Sequence, residues 1–265
     1  MIQSMLPDSQ LKDMIREYYL VDLKYNGKTK QIPIVDDCCH DIIFYTQANA
    51  ELIYGEEEII KRIDCKLFSI LGLTPPYRLK YKDELTFFTI KFQPWMNHIF
   101  FGNLKHGGIV NLEHHHPKLL STLKEVERGD ELETTLEKVN QYFKDQNVEL
   151  SPKLNLVKLI CEFIYDKKGM VKVKDISFHF KKSRQYINKI FKEEVMSSLK
   201  TFITSVRIVS LVKQKSKSEE LSLTELAYDY DYFDQAHFIN DFKKVCGVTP
   251  SQYFGDLPDF ILRHD

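Results

Sequence analysis

The chain has 265 residues, of which 43% are hydrophobic and 28% are charged, and its formal net charge is −1. This composition is typical of a globular protein with one large or two smaller domains, and it excludes collagen-like and low-complexity chains. No run approaches the ~20 apolar residues of a membrane helix. The N-terminus has no basic region followed by an apolar one, so we expect a cytoplasmic protein without a membrane partner.

Residues 18 to about 112 carry the pattern of short β-strands. Runs such as YYLVDLKY, HDIIFYTQ, KLFSILGL and LTFFTIKF are rich in β-branched and aromatic residues, and turn-forming segments such as NGK separate them. Regularly spaced short strands are typical of a barrel or a sandwich. We therefore predict that residues 1–116 form a β-rich domain.

The pattern changes after residue 116. Leu and Val recur at helical spacing between residues 117 and 143, and RGDE at 128–131 is expected to divide this segment into two helices. Residues 117–150 are thus predicted to form a helical connector. The sequence is consistent with two roles for the connector helices. These helices pair two subunits of a homodimer, or they pack against the β-rich domain of their own chain.

Residues 151–256 are helical in pattern and contain an internal repeat. The segment KKSRQYINKIFK (181–192) aligns with YFDQAHFINDFK (232–243) at an offset of 51 residues, taken between Phe191 and Phe242. The alignment superposes two N-cap residues and two pairs of apolar anchors that face one side of a helix. These pairs are Ser183 with Asp234, Ile187 with Phe238, and Phe191 with Phe242.

The surroundings of the repeat complete a recognisable arrangement. A short helix is predicted before each copy, with the small residues Ser177 and Ala227 where the helices would cross closely. A long helix over 197–216 would join the copies. Helix, tight turn and capped second helix form a helix-turn-helix, so two linked copies are predicted. After the second copy, Gly247 is expected to end its helix in a left-handed conformation, and residues 249–252 (TPSQ) to cap a closing helix.

The charge is distributed unevenly over this helical region. Residues 165–215 carry 13 basic and 4 acidic side chains (13 − 4 = +9), whereas residues 216–265 carry 4 basic and 10 acidic ones (4 − 10 = −6). A basic block of this density predicts a polyanion-binding surface. The alternative is a solvated helical face.

The stretch FDQAHFINDFKKVCGVTPSQYF, residues 233–254, resembles the signature of AraC/XylS-type transcription regulators. Residues from about 153 to 254 fit the double helix-turn-helix domain of that family. VDDCCHDIIF and FTIKFQPW resemble strands of the cupin-like sensor domain found in one of its branches. The resemblance implies an α+β two-domain protein, in which a β-barrel or cupin-like domain precedes an all-α DNA-binding domain at 151–256.

The function implied by the resemblance is sequence-specific regulation of transcription. Its expected partners are double-stranded promoter DNA, RNA polymerase, a small-molecule effector in the N-terminal domain, and a second copy of the chain. The residues that would bind the effector are unknown, and no cofactor is expected. The chain departs from the family pattern at four positions. Lys181, Met196 and Asp231 stand where glycine is usual, and Asn240 stands where a basic residue is common.

The residues expected to contact DNA follow from helical geometry. With Tyr186, Ile187, Ile190 and Phe191 facing inward, the first recognition helix presents polar side chains suited to a major groove. The predicted base contacts are Arg184, Gln185, Asn188, Gln235 and Ile239. The predicted phosphate contacts are Lys172, Lys174, Lys181, Lys182, Lys189, Lys192 and Lys243. His237 is expected to be a half-buried structural residue.

Other kinds of site were considered. EHHHP at 113–117 invites a metal interpretation, but consecutive histidines diverge, and we predict solvated loop residues and no metal site. The five cysteines lack CxxC spacing, which favours reduced thiols. Motifs for a nucleophile elbow, a P-loop or a zinc protease were not found, so we expect no catalytic residues. The main alternative function is a helical module that binds a protein partner instead of DNA.

Overall fold

The computed structural model describes residues 2–46, 50–55, 57–73, 77–104, 107–128, 131–218 and 220–256. Its strands are β1 (Ile2–Met5), β2 (Ile15–Pro33), β3 (Asp41–Tyr45), β4 (Ala50–Tyr54), β5 (Ile59–Arg62), β6 (Leu67–Leu71), β7 (Tyr77–Phe92) and β8 (Gly108–Asn111). Its helices are α1 (Asn97–Phe101), α2 (Pro117–Arg128), α3 (Leu132–Lys144), α4 (Pro152–Asp166), α5 (Val173–His179), α6 (Arg184–Glu194), α7 (Leu199–Lys217), α8 (Leu223–Asp229), α9 (Gln235–Cys246) and α10 (Pro250–Asp256).

The strands form one antiparallel sheet, which we call the sheet region (residues 2–111). Its hydrogen-bonded order is β1-β2-β7-β3-β6-β8, and β4 pairs with β7 and carries β5 on its other side. The long strands β2 and β7 pair along most of their length. Within the described residues this order does not close into a ring, so β1, β5 and β8 are edge strands. The predicted β-rich N-terminal half is confirmed.

The two faces of the sheet are packed differently, because side chains alternate between faces along a strand. Tyr18 and Phe88 belong to a core shared with the connector and with α4 to α7. Their chain neighbours Tyr19 and Phe87 point to the other side, into a second cluster that also contains apolar residues of α7 to α10. The helical half therefore packs against the sheet region.

The connector helices pack against their own sheet region. Leu119, Leu123, Val139 and Phe143 are fully buried and belong to the same core as the inner strands. The Phe143 ring lies 5.5 Å from that of Phe92 on β7, edge to face. The second of the two alternatives left open by the sequence is therefore correct. The predicted break is also present, since α2 ends at 128 and α3 begins at 132; residues 129 and 130 lie outside the described residues.

The C-terminal helices begin and end where the sequence predicts. Ser151 accepts a hydrogen bond from the Leu154 N–H and caps α4. The long predicted helix is α7, whose apolar side is buried along most of its length. Within the described residues, no single helix is long and apolar enough to cross a membrane. The helices α6 and α7 meet that length only as a pair, which is bent by 71°.

Candidate nucleic-acid interface

The first helix-turn-helix consists of α5 and α6, which we call the first lobe. Ser183 caps α6 by accepting a hydrogen bond of 3.2 Å from the Tyr186 N–H. The Ser177 hydroxyl donates to the Lys182 carbonyl at 2.6 Å and ties α5 to the turn. Lys181 in that turn has φ = 51°, a left-handed conformation that favours glycine. Lys181 therefore adopts this conformation at some cost in conformational strain.

The inner face of α6 anchors it to the core. Ile187, Ile190 and Phe191 are each no more than 2% exposed, and the Phe191 ring contacts Phe202 on α7 at 5.2 Å. The prediction that Tyr186 also faces inward is wrong, because this side chain is 42% exposed. Tyr186 precedes Ile187 by about 100° around the helix and so lies outside the buried arc.

The outer face of α6 carries the polar residues that the sequence singles out. Arg184, Gln185 and Asn188 are all exposed, as are the lysines expected to contact phosphate. Asn188 donates a hydrogen bond of 2.8 Å to the Arg184 carbonyl, one helical turn earlier. Lys189 lies 4.0 Å from Glu193. The exposed lysines around this face are Lys172, Lys174, Lys181, Lys182, Lys189 and Lys192.

The second helix-turn-helix consists of α8 and α9, which we call the second lobe. Asp234 caps α9 by accepting a 2.7 Å hydrogen bond from the His237 N–H, and Phe238 and Phe242 anchor the helix in the core. Gly247 ends it with φ = 73°. Thr249 and Gln252 exchange the hydrogen bonds of a capping box. The features predicted from the repeat are thus present in both lobes.

Two residues of the second lobe differ in exposure from what the sequence predicts. Ile239 is half-buried and packs against the core, so it does not project outward as predicted. His237 is more exposed than predicted, with 53% of its side chain accessible, and its Nε2 lies 3.3 Å from Asp241. Gln235 is exposed, with its amide donating to the Thr224 hydroxyl at 2.9 Å, and Lys243 is exposed. Ile239 and His237 both lie at the edges of the buried arc of α9.

The tip of the second lobe differs chemically from that of the first. Phe233 is 89% exposed and Tyr228 is 62% exposed. Between and beside them lie the exposed carboxylates of Asp229, Asp231 and Asp234. An acidic and aromatic tip repels phosphate, whereas the lysine-rich first lobe attracts it.

A cavity of about 380 Å³ lies between the sheet region and the segment that joins α6 to α7. Its walls are largely apolar, and one side is formed by the segment that follows α6. The wall residues from the sheet region include Ile32, Ile43, Phe68 and Leu79, and those from the helical half are Val195, Met196, Ser197 and Thr201. This volume is in the range of small-molecule sites.

The polar side of the cavity is dominated by carboxylates. Asp36, Asp37 and Asp41 line it together with Lys91, whose Nζ lies 2.6 Å from Asp37. Burial acts to lower the pKa of Lys91, but the Asp37 and Asp41 carboxylates outweigh it and hold that pKa well above its usual range. Burial raises the pKa of Asp36. Burial likewise raises the pKa of the nearby Cys39 thiol to about 12, which disfavours a reactive thiolate.

Asn97 connects the cavity to the end of α6. This fully buried side chain donates hydrogen bonds of 2.9 Å to the carbonyls of Cys38 and Val195 and accepts one from the His40 N–H. The sheet region also reaches the second lobe, since the Asp36 N–H donates to the Val245 carbonyl at 3.0 Å. Asn97 and Lys91 were not predicted from the sequence. A lysine inside the apolar run FTIKF was the available signal for Lys91.

The histidine run is solvated only in part, contrary to the prediction, because His114 and His115 are exposed but His116 is not. His116 is half-buried, and its Nδ1 lies 2.8 Å from the Tyr142 hydroxyl. Burial and the neighbouring His115 lower the pKa of His116. In the part of the chain that the structure describes, no three His, Cys, Asp or Glu side chains come together as metal ligands would.

The helical half of the chain is similar in sequence to known proteins. A family model described as "Helix-turn-helix domain" matches residues 176–256. The curated protein YesN of Bacillus subtilis, an uncharacterized transcriptional regulatory protein, is 30% identical over 69 residues. The chain contains an AraC-type helix-turn-helix domain. The match covers 26% of this chain and 19% of YesN, so most of both proteins lies outside it.

The whole chain has a fold that is known from solved structures. It resembles ToxT from Vibrio cholerae O395 with a TM-score of 0.53, covering 99% of this chain and 98% of that chain at 14% identity. A second crystal form of ToxT from Vibrio cholerae gives the same TM-score at 15% identity. The predicted fold class, a sheet-rich N-terminal region followed by the AraC-type domain, is confirmed.

Proposed function

We propose that this chain regulates transcription by binding promoter DNA, with the first lobe as the main reader of sequence. The observation that supports this most strongly is the exposed row of Arg184, Gln185 and Asn188 on a capped and anchored α6. Arginine binds guanine through two hydrogen bonds, and asparagine or glutamine binds adenine in the same way. The flanking lysines supply the phosphate contacts that orient a helix in the major groove.

The second lobe contributes less to DNA recognition in this proposal. Its expected phosphate contact is Lys243, and its expected base contact is Gln235. The half-buried Ile239 is removed from the proposed contacts, because its side chain packs against the core. The division into 1–116, 117–150 and 151–256 is kept as the working description of the regions, and cytoplasmic location is kept as an expectation.

Selection of binding sequences from a random DNA pool tests the proposal. We expect an enriched motif, and Arg184→Ala should lose about 1–3 kcal/mol of binding free energy with relaxed preference at one base pair. Lys182→Ala should weaken binding equally on all sequences and reduce the slope of log K against log salt by about 1. Lys12→Ala, an exposed lysine of the sheet region, is the matched control that should change neither.

Three outcomes would contradict this proposal in different ways. Binding without an enriched motif would indicate a sequence-blind polyanion binder. An enriched motif that Arg184→Ala leaves intact would move the reading surface away from α6. Absence of binding at low salt, both with and without the cavity ligands described next, would refute DNA binding by this chain.

We infer that the cavity binds the effector, and its chemistry limits the ligand class. The apolar walls favour a molecule with a hydrocarbon or aromatic body. Three carboxylates face a single lysine at the polar side, so a cationic or hydrogen-bond-donating head group is favoured over a carboxylate. Because Val195, Met196 and Ser197 follow α6 directly, a ligand that moves them changes how α6 is presented to DNA.

A matched pair of probes tests the ligand class. Octylamine and octanoic acid have the same chain length and opposite head-group charge. A ligand that binds the folded state raises the unfolding temperature, so octylamine should raise it and octanoic acid should not. Lys91→Met removes a positive charge from the polar side, so it should increase the difference between the two probes. Stabilisation by octanoic acid alone would contradict the inferred class.

The tip of the second lobe favours a second, protein-binding role. Exposed aromatic residues surrounded by carboxylates suit a basic and apolar protein surface, and RNA polymerase is the expected partner at a promoter. Phe233→Ser should therefore leave DNA affinity unchanged and reduce transcription by purified polymerase from a bound promoter. Equal activity of the variant and the wild type would refute this role.

A further inference from the structure

Strand β5 is the most exposed edge of the sheet region. All four of its residues are exposed, and Ile59 and Ile60 keep 46% and 55% of their surface accessible. Within the described residues, β4 is its one hydrogen-bonded neighbour. A groove of about 520 Å³ separates β5 from β8 and leaves this edge uncovered. An uncovered apolar edge strand is a template for pairing with another strand.

The backbone groups that β5 offers can be identified from its pairing with β4. The Ile63 N–H donates to the Ala50 carbonyl at 3.1 Å, and the register continues without a shift from Glu51–Arg62 to Tyr54–Ile59. Bonded and non-bonded pairs alternate along an antiparallel ladder. The peptide groups of Ile59 and Lys61 therefore point toward β4, and those of Ile60 and Arg62 point away from it.

The sequence around this edge is complementary to itself. It reads EEIIKR over residues 57–62, which is acidic, then apolar, then basic. In an antiparallel pair of two β5 strands, the turn residues Glu57 and Glu58 before one strand come near Arg62 at the end of the other. Opposite charges directly across a strand pair stabilise it, and like charges destabilise it.

We propose that β5 pairs antiparallel with β5 of a second copy of this chain. The outward-pointing peptide groups allow a register with Ile60 opposite Ile60 of the partner subunit, and this register keeps the lysines from lying directly opposite each other. Ile59 then lies opposite Lys61 of the partner subunit, and Glu58 lies beside Arg62 of the partner subunit. Each contact occurs twice about the twofold axis, as in an isologous dimer. The two sheets become one continuous sheet across the interface.

The present partners of these charges do not oppose the pairing. Glu58 forms an ion pair with Arg78, Arg62 lies 3.4 Å from Asp64, and Lys61 donates to the Gly107 carbonyl at 3.2 Å. Exposed ion pairs of this kind contribute little and rearrange easily. The connector helices offer no competing apolar face, since theirs is buried against the sheet region. A short strand pair gives a small interface and hence a weak, concentration-dependent dimer.

Sedimentation of the full chain without DNA tests this proposal separately from DNA binding. The wild type should shift with concentration from 31.3 kDa toward twice that mass. Ile60→Lys places two ammonium groups across the twofold axis and should abolish the shift. Leu159→Lys, at another exposed apolar residue on α4, is the control that should dimerise like the wild type. A monomeric wild type at its solubility limit, or an Ile60→Lys protein that dimerises normally, would overturn the proposal.

Cross-linking through single cysteines tests the register. Directly opposite residues of a bonded pair have Cα atoms about 5.5 Å apart, which a disulfide can span. Ile60→Cys should therefore form a disulfide dimer on mild oxidation, and Ile59→Cys should form much less. The wild type is the control for its own cysteines, of which four are buried. Faster cross-linking through Ile59→Cys than through Ile60→Cys would overturn the proposed register.

Discussion

The side-chain amide of Asn97 donates a 2.9 Å hydrogen bond to the backbone carbonyl of Val195, the C-cap residue directly after α6. A residue of the sheet region thus satisfies a carbonyl at the end of the proposed DNA-reading helix. Helix ends leave such carbonyls without partners in the helix, and burial makes an unsatisfied one costly. The position of α6 is therefore tied to the loop that lines the cavity.

Replacement of Asn97 should show the value of this connection. Asn97→Leu has a similar volume but leaves the Cys38 and Val195 carbonyls buried without their donor. We expect a loss of at least about 2 kcal/mol in the free energy of unfolding. The control is Asn188→Ala, an exposed residue of α6, which should change it by less than about 0.5 kcal/mol. Urea unfolding measures both, and an unchanged midpoint for Asn97→Leu would contradict the prediction.

Lys181→Gly should increase stability while it weakens DNA binding. A side chain at φ = 51° costs about 1–2 kcal/mol that glycine avoids, although glycine loses more entropy on folding, so the net gain is about 0.5–1 kcal/mol. Loss of the charge should lower the slope of log K against log salt by about 1. Lys182→Gly removes the same charge without relieving a left-handed residue, and it should bring no gain in thermal stability.

Asp36→Asn should stabilise the protein at neutral pH. Burial raises the pKa of Asp36 in the folded state, so folding binds its proton more tightly than the unfolded chain does. The resulting stabilisation is fully present below the unfolded pKa of about 4 and is lost as the pH rises through the folded pKa. Asparagine keeps the acceptor for the Cys38 N–H at 2.9 Å and removes this loss.

Chemical unfolding between about pH 4 and pH 7 measures this effect. The variant should lose less stability than the wild type over that interval. Asp64→Asn, which removes an exposed carboxylate from the same region, is the control. Identical pH profiles for the wild type and Asp36→Asn would show that burial does not destabilise the ionised form of Asp36.

Gly169→Ala should be strongly destabilising. Gly169 has φ = 72°, and a Cβ there would lie 2.5 Å from the backbone nitrogen of Arg207 and 2.6 Å from the carbonyl of Ile203. Both atoms belong to the backbone of α7 and cannot move aside, so we expect a loss of about 2–3 kcal/mol. Gly255→Ala meets nothing within 4 Å and should be neutral or slightly stabilising. Thermal unfolding distinguishes the two.

The features that the sequence predicts correctly are local ones. Ser183, Asp234 and Gly247 act within one turn of their own helix, so composition and spacing are enough to place them. Tyr186 and Ile239 were misplaced because each lies at the edge of a buried arc, where the neighbouring helices decide how much is covered. Periodicity predicts which residues lie at the centre of the buried face of a helix more reliably than it predicts how wide that face is.

The features that could not be predicted depend on distant parts of the chain. Asn97 touches residues 57 positions and more away, and its role becomes visible only when the sheet region and α6 are packed together. The cavity likewise has walls from both halves of the molecule. The connector helices illustrate the same limit, since their apolar faces fit a partner helix or a sheet equally well by pattern.

The unequal charge of the two lobes makes the two ends of the AraC-type domain chemically different. A twofold protein with identical lobes reads a palindrome and cannot tell one strand from the other. Here the basic first lobe and the acidic second lobe are joined within a single chain, so the molecule has a leading and a trailing end on the duplex. We expect the site read by one copy of the chain to be non-palindromic, and reversal of that site would turn the aromatic tip of the second lobe from one flanking gene toward the other.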